Sequence, residues 1–104
     1  MDDAKVELTV FRRRFVAAAA KRLRGIAEAI AMGHPAEVCA SFHQLAGDAF
    51  LLNLQALGEQ AAAGEVSAIQ WQQGDSAGRQ GCSRALENMR RLIGEESEAP
   101  RSDG

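Results

Sequence analysis

Tyrosine is absent from this chain of 104 residues, proline occurs only twice, and β-branched residues are few and scattered. Sheets draw on β-branched and aromatic residues in period-two alternation, and little of that pattern is present. The abundant Ala, Leu, Gln, Glu and Arg favour helices instead. No run approaches the roughly 18 uninterrupted apolar residues that a membrane span needs, and Met1-Asp2-Asp3 lacks the basic, then apolar, layout of a secretory signal. A cytosolic protein with no membrane partner is expected. Two cysteines, Cys39 and Cys82, make no framework of spaced pairs, so reduced thiols rather than a structural disulfide are predicted. At this length one core forms and a second folded unit does not.

The net charge of −2 hides an asymmetry. Residues 1–33 carry seven Lys/Arg against four Asp/Glu, and residues 34–104 carry five against ten, giving +3 and −5. The clusters Arg12-Arg13-Arg14 and Lys21-Arg22-Arg24 are interleaved with a clean apolar seam in an acidic protein. A solvated helix face explains them better than a nucleic-acid surface.

Apolar residues at Leu8, Phe11, Phe15, Ala19, Leu23, Ile26 and Ile30 recur in steps of three and four, predicting one long amphipathic helix from about Asp3 to Met32. Gly33 can close it in the left-handed conformation, and Pro35 suits the first turn of the next. A second helix, about Ala36 to Leu51, has its seam at Val38, Phe42, Leu45, Ala49 and Leu52. A third is expected over Leu54 to Gln73, through Leu57, Ala61, Gly64, Ala68 and Trp71. A fourth follows over Ser76 to Ile93, through Gly81, Ala85, Met89 and Leu92, with its corner at Gly74-Asp75-Ser76. Gly58, Gly64, Gly78 and Gly81 each cost a helix interior about 1 kcal/mol relative to alanine, which weakens this last hairpin. The expected fold is all-α, an antiparallel up-down four-helix bundle over residues 3–94. Residues 95–104 are polar and seamless, and read as a disordered acidic tail.

His43 lies off the second helix's seam, on a stripe with Cys39, Ala46, Gly47 and Phe50, so its ring points to the flank or surface of the bundle. The segment His43-Gln44-Leu45-Ala46-Gly47 closely resembles the active-site motif of histidine-containing phosphotransfer domains, in the subgroup that reads His-x-Leu-Ala-Gly. The likeness extends over about residues 8–93 in helix order and length, with its specific part from His43 to about Leu57. Asn53 stands where that family usually has a glycine, and asparagine tolerates positive φ better than other residues with a side chain.

The resemblance implies that His43 is the phosphorylated nucleophile. It also implies a partner: the receiver domain of a response regulator or hybrid histidine kinase, which supplies the magnesium and most of the transition-state stabilisation. The chain would need no cofactor of its own and would act as a monomer, a phosphoryl carrier rather than a kinase or hydrolase. A phosphate loop ending in Lys-Ser/Thr is absent from the sequence. Ala46 and Gly47 suit a close approach, because bulky neighbours would hold the phosphorus away from the imidazole. Phe50, with the apolar parts of helices one and two, is a candidate docking patch. Ala46 replaces the lysine of the commoner motif. Arg12, Arg13 and Arg14 are candidates to compensate, and Gln44 and Gln55 to hydrogen-bond the imidazole or the phosphoryl oxygens.

Three other readings compete. His43 can be an ordinary surface histidine on a bundle that binds a signalling partner without being phosphorylated. Cys39, His43, His34 and Cys82 could make a Cys2His2 metal set, although Cys82 is isolated and His34 sits in a turn beyond the other end of the helix. A hydrolytic or redox enzyme lacks both an acidic pair at an active-site spacing and a Cys-x-x-Cys. The phosphotransfer reading, with no metal, is the one carried forward.

Overall fold

The structure, a computed structural model, describes the backbone of residues 2–98 and the side chains of residues 9–95. Four helices follow in order: α1 (Asp2–Met32), α2 (Pro35–Leu51), α3 (Gln55–Gln72) and α4 (Ala77–Glu98). Both α1 and α3 pack on α2 and on α4, and with short turns between them the four form the all-α four-helix bundle expected from the seams.

The first three helices end in the same way. Gly33, Asn53 and Gly74 take φ of 74°, 59° and 97°. The residue after each donates its N–H five residues back: His34 to the Ala29 carbonyl at 2.9 Å, Leu54 to Ala49 at 2.8 Å, Asp75 to Gln70 at 3.0 Å. These bonds satisfy carbonyls that a helix end leaves open. Asparagine thus closes α2 as glycine closes its neighbours. At the last corner Asp75, rather than Ser76, supplies the side-chain cap, its Oδ1 accepting from the Ala77 N–H at 3.0 Å. α4 continues past the end of its seam, because Gly94 stays out of the left-handed region and the glutamates beyond it are good helix formers. Of the tail expected over 95–104, residues 95–98 are therefore helical, and 99–104 lie outside the described residues.

The core takes Phe15, Ala19, Leu23, Ile26 and Ile30 from α1, Val38, Phe42, Leu45 and Ala49 from α2, Leu57, Ala61 and Ala68 from α3, and Cys82, Ala85, Leu86, Met89 and Ile93 from α4. Phe11, expected in the first seam, is instead half exposed. The cause is length: 31 residues of α1 span about 46 Å at 1.5 Å each, and α2 has only 17. Arg12 already reaches the α2–α3 turn, its Nε donating to the Leu52 carbonyl at 2.9 Å. Phe11 therefore lies where the shorter helices give out.

Glycines in α3 and α4 are contact points rather than weaknesses. Gly64 receives the Phe42 ring, and a Cβ there would stand 2.7 Å from ring carbons. Gly78 lies against the backbone of α3, where a Cβ would meet the Ser67 carbonyl oxygen and come within 2.5 Å of the Trp71 nitrogen. Close approach of two helix backbones is what a missing Cβ permits. Arg79, next along α4, donates from Nη2 to the Ile30 and Ala31 carbonyls at 2.7 and 3.2 Å. Its guanidinium carbon lies 5.2 Å from the centre of the Trp71 ring. α1 has no basic residue in its own last turn, so α4 supplies the cation that its C-terminal carbonyls favour.

Candidate functional site

His43 stands on the outer face of α2 with 76 % of its side chain exposed. The core-facing residues Phe42 and Leu45 turn inward on either side of it. The crest around it is small: Ala36, Ala40 and Gly47 are all exposed, and a Cβ at Gly47 would meet nothing within 4 Å. A partner can therefore approach the imidazole without displacing a large neighbour.

The ring is tethered on one side. His43 Nδ1 lies 3.0 Å from Oε2 of Glu65, a largely shielded carboxylate on α3. A carboxylate only accepts hydrogen bonds, so Nδ1 carries the hydrogen and donates it. In the neutral tautomer with that hydrogen the lone pair lies on Nε2. This is the division of labour a nucleophilic imidazole requires, one nitrogen oriented by a partner and the other left to react.

The sequence did not single out Glu65. Its signal was available in the hairpin, because His43 lies eleven residues before Leu54 and Glu65 eleven after it. An antiparallel helix pair brings residues equidistant from its turn to the same level. The Phe50–Gly58 contact obeys the same rule.

The other expected residues divide. Gly47 and Phe50 share the exposed surface with His43; Phe50 is 43 % exposed while one edge of its ring rests on Gly58. Ala46 is buried at 7 % exposure, because its direction on the wheel falls between the crest and the core. Its contribution is the absence of bulk, and it offers little surface to a partner. Gln44 turns the other way, lining with Arg22, Gly25 and Ser41 a shallow groove between α1 and α2.

Gln55 is remote from the imidazole. It lies ten residues from Glu65 along α3, about 15 Å at the helical rise, and its Nε2 donates to Glu59 at 3.4 Å. Arg12 is held at the α2–α3 turn, nine residues or about 13 Å beyond His43, and the exposed Arg13 and Arg14 follow it at that end of α1. The structure therefore brings neither Gln55 nor these three arginines to His43. Arg22, also on α1, is bound to Asp48 at 2.9 Å. That ion pair turns the Asp48 carboxylate toward α1. Among the described residues, Glu65 is the one hydrogen-bond partner of the His43 ring, and no Lys or Arg pairs with it.

Exposed apolar side chains also occur on α3, beyond the parts of helices one and two from which a docking patch was expected. On α3, Val66 and Ile69 are exposed, one residue and one turn beyond Glu65. Phe50 is exposed on α2, two turns beyond His43.

The thiols lie apart from this chemistry. Cys39, one turn before His43, is half-buried, and burial followed by the Glu65 charge pushes its pKa up. Cys82 is in the core, its Sγ 3.7 Å from the Gly64 carbonyl oxygen, and burial followed by Cys39 pushes it up to about 11. Among the described residues no group of three or more His, Cys, Asp or Glu side chains could hold a metal ion, and no helix is long and apolar enough to cross a membrane.

Comparison with protein-family models, curated proteins and solved structures gave no match.

Proposed function

We propose that this chain is a histidine phosphotransfer domain, a monomeric cytosolic carrier that relays a phosphoryl group between His43 and the aspartate of receiver domains in a two-component phosphorelay. The observation that carries the reading is the exposed His43 ring held through Nδ1 by Glu65, on a crest kept open by Gly47. In the loading step the Nε2 lone pair attacks the phosphorus of a phospho-aspartate, the P–O bond breaks, and the aspartate leaves as carboxylate. The receiver, from a response regulator or a hybrid histidine kinase, brings the magnesium that neutralises the phosphoryl oxygens. The helical domain contributes an oriented nucleophile and an apolar rim, Phe50, Val66 and Ile69, for docking.

That same rim favours one other reading, a bundle that binds a signalling partner without being phosphorylated. Mass spectrometry after mixing with a phosphorylated receiver separates the two. An acid-labile phosphoryl adduct on His43 is expected, and a stable complex with no adduct would establish the alternative.

Gly47→Leu tests the open crest. A Cβ there meets nothing within 4 Å and leucine is the better helix former by up to about 1 kcal/mol, so the melting temperature should hold or rise. Transfer should nonetheless slow by on the order of ten- to a hundredfold, because the new side chain stands in the partner's path. Unchanged stopped-flow transfer rates would move the docking face elsewhere.

A further inference from the structure

Resting on the phosphotransfer reading, we infer that Glu65 makes phosphorylated His43 a short-lived, strongly donating state, so that the domain passes phosphoryl groups on rather than storing them. Two observations carry this. A carboxylate touches the ring at 3.0 Å. Among the described residues no Lys or Arg pairs with the ring to offset it: position 46 is a buried alanine, Arg12 is engaged at the far turn, and Arg22 is engaged with Asp48.

Phosphorylation at Nε2 leaves the ring able to hold its hydrogen on Nδ1, as a cation, or to lose it. The negative charge of Glu65 favours keeping it. When an aspartate carboxylate of the receiver then attacks phosphorus, the P–Nε2 bond breaks and its electron pair returns to Nε2. The ring leaves as neutral imidazole, with the Nδ1 hydrogen still donated to Glu65. No proton has to be supplied during the step. Without that hydrogen the leaving group would be an imidazolate anion, a far poorer one. Hydrolysis follows the same course with water as the attacking group, its proton passing to the phosphate released. The phosphoryl oxygens also face the Glu65 charge across the ring, a repulsion that a motif lysine would offset.

The test uses phosphoramidate, a small donor that loads histidine without a receiver, on a His34→Gln background that leaves His43 as the single histidine. Glu65→Gln keeps a hydrogen-bond acceptor and removes the charge; Glu65→Ala removes both. The phosphohistidine lifetime should lengthen about three- to tenfold in each variant, modest because the pair is partly exposed and screened, and transfer to a receiver should slow in step. A lifetime in Glu65→Gln equal to or shorter than the parent's would overturn the inference, and a change confined to Glu65→Ala would reduce Glu65 to an orienting role. The two proposals fail separately. A parent that phosphoramidate loads but no phosphorylated receiver does refutes the relay, and a receiver-loaded parent indifferent to Glu65→Gln refutes only the donor state. A His43 that neither donor loads refutes both.

Discussion

His43→Gln should eliminate phosphoryl acceptance while leaving the bundle intact. Glutamine has no nucleophilic nitrogen, so the expected loss is complete rather than partial. The ring contributes little to packing, being 76 % exposed with Glu65 as its one hydrogen-bond partner among the described residues. Changes at such surface sites usually stay within about 0.5 kcal/mol. Circular dichroism and thermal melts should therefore overlay those of the parent. A variant that still acquires acid-labile phosphate would show that another residue is the acceptor, and one that unfolds would show His43 to be structural.

Gly78→Val should be the most damaging single change in the fold. Its Cβ would run into the Ser67 carbonyl and the Trp71 nitrogen. Both are backbone atoms, which no rotamer change can move aside, so α3 and α4 must separate. Overpacking of this kind costs about 1–3 kcal/mol and sometimes more, against a total stability of about 5–15 kcal/mol for a domain. A fall in Tm on the order of 10–20 °C is expected. Gly78→Ala should also destabilise, against its helix propensity. Gly94→Ala is the control, because a Cβ there meets nothing within 4 Å and should gain up to about 1 kcal/mol. Equal melting temperatures for the two alanine variants would refute the close approach.

Much of this architecture could be read from residue spacing. The seams of α2 and α3 predicted their buried faces because apolar periodicity reports which side of a helix leaves water, and Gly33, Asn53 and Gly74 marked the turns because few residues accept positive φ. Phe11 failed because periodicity describes one helix and is blind to how far its neighbours extend. Gln55 and the three arginines failed for a related reason: they were chosen by chemistry, and distance along the bundle axis decided against them. Glu65 was missed because a helix pair was needed to see it. Had the turn at Leu54 been used as a mirror, residue 65 would have been the natural partner of residue 43.

Arg79 has an experimental use beyond the joint it makes. The chain contains a single tryptophan, and that indole lies under the cation which also grips the end of α1. Emission from Trp71 therefore reports whether α1, α3 and α4 remain joined at that end, at a point several turns of α2 away from the Asn53 corner. A denaturation curve followed by fluorescence should coincide with one followed by ellipticity if the bundle melts as a unit. If the emission changes first, the joint of α1, α3 and α4 opens before the α2–α3 hairpin does, and His43 would keep its tether in a partly unfolded chain.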